Sequence, residues 1–373
     1  MGLSAAFPRP WTRRALLSFL AASGLDAGSP KPRTFPADWR RYPDGATELD
    51  VLRLTDFSYA SFLPAYYNRA LTRRGQILFY SSHRTGAAQA FRMNLRSGES
   101  AQLSDIPALD GATLTLTPDE RSLCFFDGPS LRYVALAKMR DRVVYSVPDG
   151  WKRTAGASVT GDGDSALFAE TRDGGSRLRL VGLVKSAAAV ILEARGEISH
   201  AVARPGRNQL MYRQADGSIW VVQYDGRENR RLKTPAGALG PAHWAPDGSA
   251  VLYLHFPEDR RQLNTIRAYT LDDDRDALVA KTSQFVHFGV NRDGSVFAGA
   301  SRNAASPHLL LSLRANKREL TLCEHRASDP AAVAPIFSAD SQSVFFQSDL
   351  HGKPAIYRVR VEQFVEKTEP GGL

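Results

Sequence analysis

Cysteine is almost missing from this chain, with 2 in 373 residues. Cys124 lies in SLCFF and Cys323 in ELTLCEH, far apart and outside any CxxC-type spacing. A disulfide framework and a cysteine metal site are therefore excluded, and two buried free thiols are expected. Beyond the first residues no run is long and apolar enough to cross a bilayer, so no integral membrane segment is expected. No nucleophilic triad, phosphate loop or haem motif stands out. Acidic residues are in deficit, 39 against 48 basic ones, which leaves a formal charge of +9. A basic surface suits an anionic partner (nucleic acid, a membrane surface or an acidic sugar) or serves solubility alone. The basic residues are scattered and no aromatic-basic RNA-binding motif is present, so no nucleic acid is expected.

Turn formers are plentiful, with 29 Gly and 21 Pro. Turn-like pairs recur along the whole length, which favours many short strands over long helices. The N-terminus reads differently. In RPWTRRALLSFLAASGL the pair Arg13–Arg14 precedes an apolar run from Ala15 to Leu25. A charged head and a short apolar run resemble a twin-arginine export signal, which implies a periplasmic protein. No clean A-x-A site follows, LDAGSP being the nearest, and no cysteine offers a lipid anchor. If the signal is not functional, the segment is a basic amphipathic tail and the protein is cytoplasmic.

One phrase then occurs seven times: a turn, often Asp-Gly, followed by an apolar strand. Examples are LTPDERSLCFFDG from 116, WAPDGSAVLYLHF from 244 and FSADSQSVFFQS from 337. The turn residues are Arg74, Asp119, Asp162, Gly206, Asp247, Asp293 and Asp340, with successive spacings of 45, 43, 44, 41, 46 and 47. That period, with several strands per unit, is the signature of a β-propeller. Within a unit, AIYRVR alternates apolar and polar residues, as a strand with two different faces must. The fold class is all-β, a seven-bladed β-propeller of four-stranded antiparallel blades. GDGDS at 161–165 looks like a calcium-loop fragment but coincides with one of the turns.

The predicted organisation is an export signal and linker over 1–34, a propeller over 35–365 and a C-terminal tail over 366–373. The segment GATELDVLRLTDF, 45–57, has no blade of its own. It is expected to supply the outer strand of the last blade and so close the ring. FSADSQSVFFQSD reads as the innermost turn and strand of blade seven. The preceding DPAAVAP is then the loop leading into the channel, where propellers gather ligand groups.

Three segments in order, FPADWRRYPDGATELDVLRLTD, VPDGWKRTAGASVTGDG and FSADSQSVFFQSDLHGKPAIYRV, resemble the oligogalacturonate lyase family over about residues 35–362. The blade phrases alone are shared with TolB-type and peptidase propellers. The resemblance implies β-elimination of short acidic (uronate) oligosaccharides in pectin breakdown. A divalent cation, typically Mn2+, held by histidines and a glutamine, stabilises the uronate carboxylate there and a histidine acts as base, and no glutamine takes the usual place beside the blade-seven loop of this chain. Carried over by position, His243 in GPAHWAPDG matches a metal ligand. His200 in ISHAVARPGR matches the base, with Arg204 and Arg207 beside it for a carboxylate. The family's blade-seven loop carries two histidines where this chain has Ala332 and Ala334. The first-blade segment SYASFLPAYYN offers tyrosines in place of histidine. On that reading the metal site is incomplete and the cofactor is Mn2+, another divalent cation, or none.

Each of these residues also has a plain structural reading. His243 can pack on Trp244, His200 can be a polar rim residue, and His287 in QFVHFGVNRDGS can be a packed strand residue or can reach the same rim. Arg213 and Arg302, with Arg204, suit a carboxylate-binding set or are solvated charges. His325 precedes the alanine loop as an ordinary strand exit. His83, His255, His308 and His351 look like surface residues. Two functional classes remain open. One is a lyase of the oligogalacturonate type. The other is a non-catalytic propeller that binds an acidic glycan or a protein partner.

Overall fold

The Asp-led turns work through one repeated hydrogen bond. In a computed structural model describing residues 32–259 and 261–368, the turn carboxylate accepts from the backbone N–H two residues on. The pairs are Arg121 to Asp119 at 3.1 Å, Asp164 to Asp162 at 3.0 Å, Ser249 to Asp247 at 2.9 Å, Ser295 to Asp293 at 2.9 Å and Gln342 to Asp340 at 3.1 Å. This side-chain mimic of a turn forces the chain back on itself, and an antiparallel pair follows. Each turn joins the first strand of a blade to the second. In blade seven it joins Ile336–Phe337 to Ser343–Ser348. The apolar strand of the repeated phrase is therefore the second strand, and the innermost one is the short segment before the turn, because the turn residues are the hairpin and not the inlet to it.

The sheets number seven among the described residues, five of four strands and two of five. The extra strands sit at the two ends of the ring. Thr34–Phe35 adds to the outside of blade one by pairing with Ser100–Gln102. Asp50–Arg53 pairs antiparallel with Ala355–Arg360 of blade seven, and Arg40–Pro43 pairs outside that. Thr55 Oγ1 accepts from the Ile356 N–H at 3.0 Å and continues the ladder. The N-terminal arm is thus hydrogen-bonded to both the first and the last blade. The only helix among the described residues is a 3-10 turn, Pro330–Val333.

No central core exists. The buried apolar residues form seven clusters, each shared between two neighbouring blades, with one at every interface around the ring. The interface between blades seven and one contains Leu52 and Leu54 from the arm, with Phe91 from blade one and Phe345 and Ile356 from blade seven. Cys124 and Cys323 are free and buried in two of these clusters. Burial pushes the Cys124 thiol up to about 12, which makes it an inert core residue. The twin-arginine segment falls outside the described residues, and no helix among those described is long and apolar enough to cross a membrane.

Val51 and Leu54 are 1% and 0% exposed. Deleting 45–57 removes these contacts and the whole pairing of Asp50–Arg53 with Ala355–Arg360. The expected loss is roughly 5 kcal/mol or more, about 10 °C in Tm for a chain of this size. A calorimetric scan of the deletion variant that superimposes on the wild type would contradict a closing role for this strand.

Candidate site in the central channel

The channel is lined by the first strand of each blade, and these strands are irregular. Register breaks fall between Asp110 and Thr115, Arg153 and Ala157, Ser199 and Val202, Leu239 and Ala242, and Phe285 and His287. A bulge turns side chains off the regular alternation and is common beside functional sites. Blade one departs furthest. Phe62 pairs with Ser81 and Leu71 with Leu78, so residues 63–70 stand opposite only residues 79 and 80. This excess, LPAYYNRA, fills the channel.

Tyr66 crosses the channel to the far side. Its hydroxyl accepts from the Ala242 N–H of blade five at 3.1 Å. Its ring centroid lies 4.5 Å from that of His243 and 4.7 Å from that of His287. Tyr67 packs edge-on to Tyr66 at 5.0 Å and lies 6.4 Å from His200. Gly156 makes room for this: a Cβ there would stand 2.6 Å from the Tyr67 hydroxyl and 2.8 Å from the His200 Cα. Burial raises the pKa of both phenols, so they remain neutral hydrogen-bonding groups.

The three channel histidines are held as neutral imidazoles. His243 Nε2 donates to the Phe288 carbonyl at 2.8 Å, with its ring against Phe288 and Tyr66 rather than Trp244. Burial holds its pKa down at about 4. His287 is buried with Nδ1 lacking a hydrogen-bond partner. Burial first, and the His243 ring second, hold it at about 3. His200 sits at the bulge with φ 52°, its Nδ1 3.1 Å from Ser199 Oγ. Burial, then the Arg213 charge, lower its pKa.

The arginines divide by position. Arg213 donates to the carbonyls of Gly217 at 3.0 Å and Leu239 at 3.4 Å, and also to Gly240, tying blade four to blade five. Arg204 lies over Trp244 at the opposite rim, where its Nε donates to the Gly248 carbonyl at 2.7 Å. Arg207 is exposed in the adjacent turn, and Arg302 is exposed at the end of Val296–Ser301. Arg204 and Arg207 thus follow the strand carrying His200 to its turn end, whereas Arg213 and Arg302 end second strands at the inlet end. Between Tyr66, His200, Arg213 and Ala242 the open space is about 10 Å3, the size of a single water. A larger cavity of about 280 Å3 lies on the turn side of the tyrosines, bounded by Arg69, His243, Gly289 and Phe337.

The blade-seven loop is anchored by Val333, which is 0% exposed, between Ala332, which is exposed, and Ala334, half-buried at φ 41°. Gly289 lets it approach: a Cβ there would meet the Pro335 carbonyl at 2.2 Å. Gln347 Nε2 donates to the Ala332 carbonyl at 2.7 Å while its Oε1 accepts from the Leu63 N–H at 2.8 Å. It therefore ties the loop to the inserted segment. Sequence reasoning missed Gln347, and also an ion pair of Asp110 with Arg153 beside Tyr67. His325 is fully buried, with Nε2 donating to the Ser301 carbonyl at 2.9 Å and Nδ1 accepting from the Ala327 N–H at 3.1 Å. His255 is buried as well, donating to the Ala236 carbonyl at 2.8 Å, and is not a surface residue.

The fold and channel define a seven-bladed β-propeller whose axis is closed by an insertion from blade one. Comparison with known proteins sharpens this. The chain is similar to an oligogalacturonide lyase of Pectobacterium atrosepticum, 23% identical, over 90% of this chain and 99% of the relative. It is also similar to an oligogalacturonate lyase of Dickeya dadantii, 21% identical over the same shares. A solved oligogalacturonate lyase in complex with manganese superimposes with a TM-score of 0.84 at 24% identity, covering 89% of this chain and 98% of that one. The oligogalacturonate lyase of Vibrio parahaemolyticus gives 0.83 at 22%, with the same coverage. No family model matches the chain. The resemblance to the oligogalacturonate lyases therefore runs over nearly the whole chain, and the propeller fold is shared.

The channel residues of this chain do not fit a manganese ion. No three His, Cys, Asp or Glu side chains converge among the described residues. The His243 Nε2 is engaged by a carbonyl, and the loop positions 332 and 334 carry only methyl groups. A divalent ion needs several convergent donors.

All five described histidines with a displaced pKa, His200, His243, His287, His325 and His351, have it lowered. Unfolded histidines take up protons below about 6.5, while these remain neutral in the folded state. Stability is thus complete above that pH and falls as pH drops toward the folded values. For His243 and His287 the loss at pH 5 is roughly 2 kcal/mol each, at 1.36 kcal/mol per pH unit. Urea melts at pH 7.5 and 5.0 should show the drop, and His287→Leu should shrink it. A pH-independent midpoint would contradict neutral burial.

Proposed function

We propose that this protein recognises short acidic oligosaccharides at the inlet of its channel, on a scaffold related to the oligogalacturonate lyases, without manganese-assisted elimination. The observation that carries this reading is the donor set. The two loop positions where the resemblance expects histidines are Ala332 and Ala334, and His243 is committed to the Phe288 carbonyl. The inlet end still offers exposed Arg302 and half-buried His200 to a carboxylate-bearing sugar. The chain's formal charge of +9 favours such a partner over a neutral one. The Arg13–Arg14 segment supports action outside the cytoplasm, in the periplasm, where pectin fragments arrive.

The second reading keeps the chemistry: β-elimination of uronate oligosaccharides with His200 as base. It is favoured by similarity over 90% of the chain to a protein named as a lyase. It is also favoured by the lowered pKa of His200, which leaves an unprotonated imidazole at neutral pH. Elimination requires the proton beside the carboxylate to be made acidic, and among the described residues the inlet offers Arg302 for that neutralisation in place of a metal.

One assay separates the readings. Protein lacking residues 1–28 is mixed with trigalacturonate, with and without manganese, and ultraviolet absorbance of an unsaturated product is followed. The proposal predicts no rise in either case, together with saturable binding that Arg302→Gln weakens by about tenfold, the order expected for one charge-assisted contact. A rise that depends on manganese and is lost in His200→Ala would establish the lyase instead.

A further inference from the structure

Outside the channel, the seam where the ring closes contains a second cleft, of about 550 Å3. That volume is in the range of small-ligand sites. Its walls come from three parts of the chain that meet only because the ring is shut. The N-terminal arm supplies Trp39, Arg41 and Leu52, blade one supplies Leu95 and Arg96, and blade seven supplies Arg358 and Arg360. Four guanidinium groups therefore share one cleft, and no carboxylate among the described residues lines it.

The charges are poorly compensated. Arg41 reaches Asp50 and Arg360 reaches Glu362, each at 3.5 Å, with all four side chains more than half exposed. Such solvated pairs contribute little. The side chains of Arg96 and Arg358 make no hydrogen bond or ion pair among the described residues, although Arg358 is half-buried. Burial, then the neighbouring charges of Arg360 and Arg41, depress the pKa of Arg358, with Glu362 opposing. A half-buried guanidinium among like charges is unfavourable for folding alone and is resolved by a bound anion. The remaining lining is apolar: Trp39, Leu52 and Leu95. Trp39 packs closely against Gly98, where a Cβ would come within 2.8 Å of its ring.

We propose that this seam cleft is a second binding site, separate from the channel, for an acidic oligosaccharide whose carboxylates pair with Arg358, Arg96, Arg41 and Arg360 while a sugar face lies on Trp39. Arginine forks match carboxylates bidentately, and an indole offers a flat apolar surface to the C–H face of a pyranose. A small inorganic anion would use the charges but leave the apolar wall without a partner. The site does not depend on the channel reading, because none of its residues lies in the channel.

The test is isothermal titration of the full chain with trigalacturonate, with neutral maltotriose and inorganic phosphate as comparators. Trigalacturonate is expected to bind in a salt-sensitive manner, with affinity about tenfold lower in Arg358→Gln and in Arg96→Gln. Arg96 lies on an exposed turn, so its variant guards against misfolding, and Arg358→Gln is expected to melt no lower than wild type. The titrations are repeated in a His200→Ala, Arg302→Gln background, which removes the channel's contribution: a saturable isotherm that persists there and is weakened about tenfold by adding Arg358→Gln or Arg96→Gln supports the cleft. Binding unchanged in both arginine variants overturns the proposal. Phosphate that binds as tightly as trigalacturonate overturns the oligosaccharide assignment and leaves a simple anion site.

Discussion

Everything in this structure depends on closing the ring. A blade of four strands has two apolar faces and cannot cover either one itself. Each face is buried only by the neighbouring blade, as the seven interface clusters make plain. A linear array would leave two such faces exposed to water, at roughly 25 cal/mol for each Å2. The arm that pairs with Ala355–Arg360 removes that cost, since Leu52 and Leu54 join Phe345 and Phe91 in the last interface. Closure also creates the two places with chemistry. The channel exists because the ring has an axis, and the seam cleft exists because the arm must cross from one blade to another.

The axis is a geometric remainder that side chains must fill or water must occupy. Here blade one fills it. The bulge at 63–70 delivers Tyr66 and Tyr67 to the centre, where Tyr66 bonds to Ala242 and packs on two histidines from blades five and six. That packing sets the protonation state. An imidazole enclosed by aromatic rings loses its hydration and stays neutral. In a channel with a dication, neutral imidazoles would be ligands. Here the Phe288 carbonyl stands as the partner of His243, and both rings pack on Tyr66.

The parts of this architecture that repeat are legible in the sequence, and the parts that occur once are not. The Asp turns mark the period because five of the seven place a carboxylate to accept from the N–H two residues on, and the turns at Arg74 and Gly206 keep the same spacing. The alternation in AIYRVR marks a two-faced strand for the same reason. The phrase reads as an innermost strand only because its apolar residues are the most prominent. The true first strands, such as Leu109–Leu116 and Lys152–Val159, are broken by bulges, so their periodicity is too weak to read. Tyr66 belongs to such a bulge. Nothing in FLPAYYN distinguishes a surface loop from a plug, since the decisive contact is with Ala242, 176 residues away. His255 departs from its surface reading for a related reason: it stands near the end of strand Ala250–Phe256, yet its ring reaches the Ala236 carbonyl inside the fold.

The alanine loop separates the residues that hold the scaffold from those free to vary. Val333 anchors the loop in the interface of blades six and seven, and Gln347 pins it to Leu63. Neither contact uses the side chains at 332 or 334. Those positions are therefore open to substitution at little cost to folding, whereas Val333 and Gln347 are not. The fold can retain a likeness to the lyases along nearly its whole length with alanine at both loop positions. Overall similarity is set by the seven interfaces, and chemistry is set by a few rim side chains that the interfaces do not need.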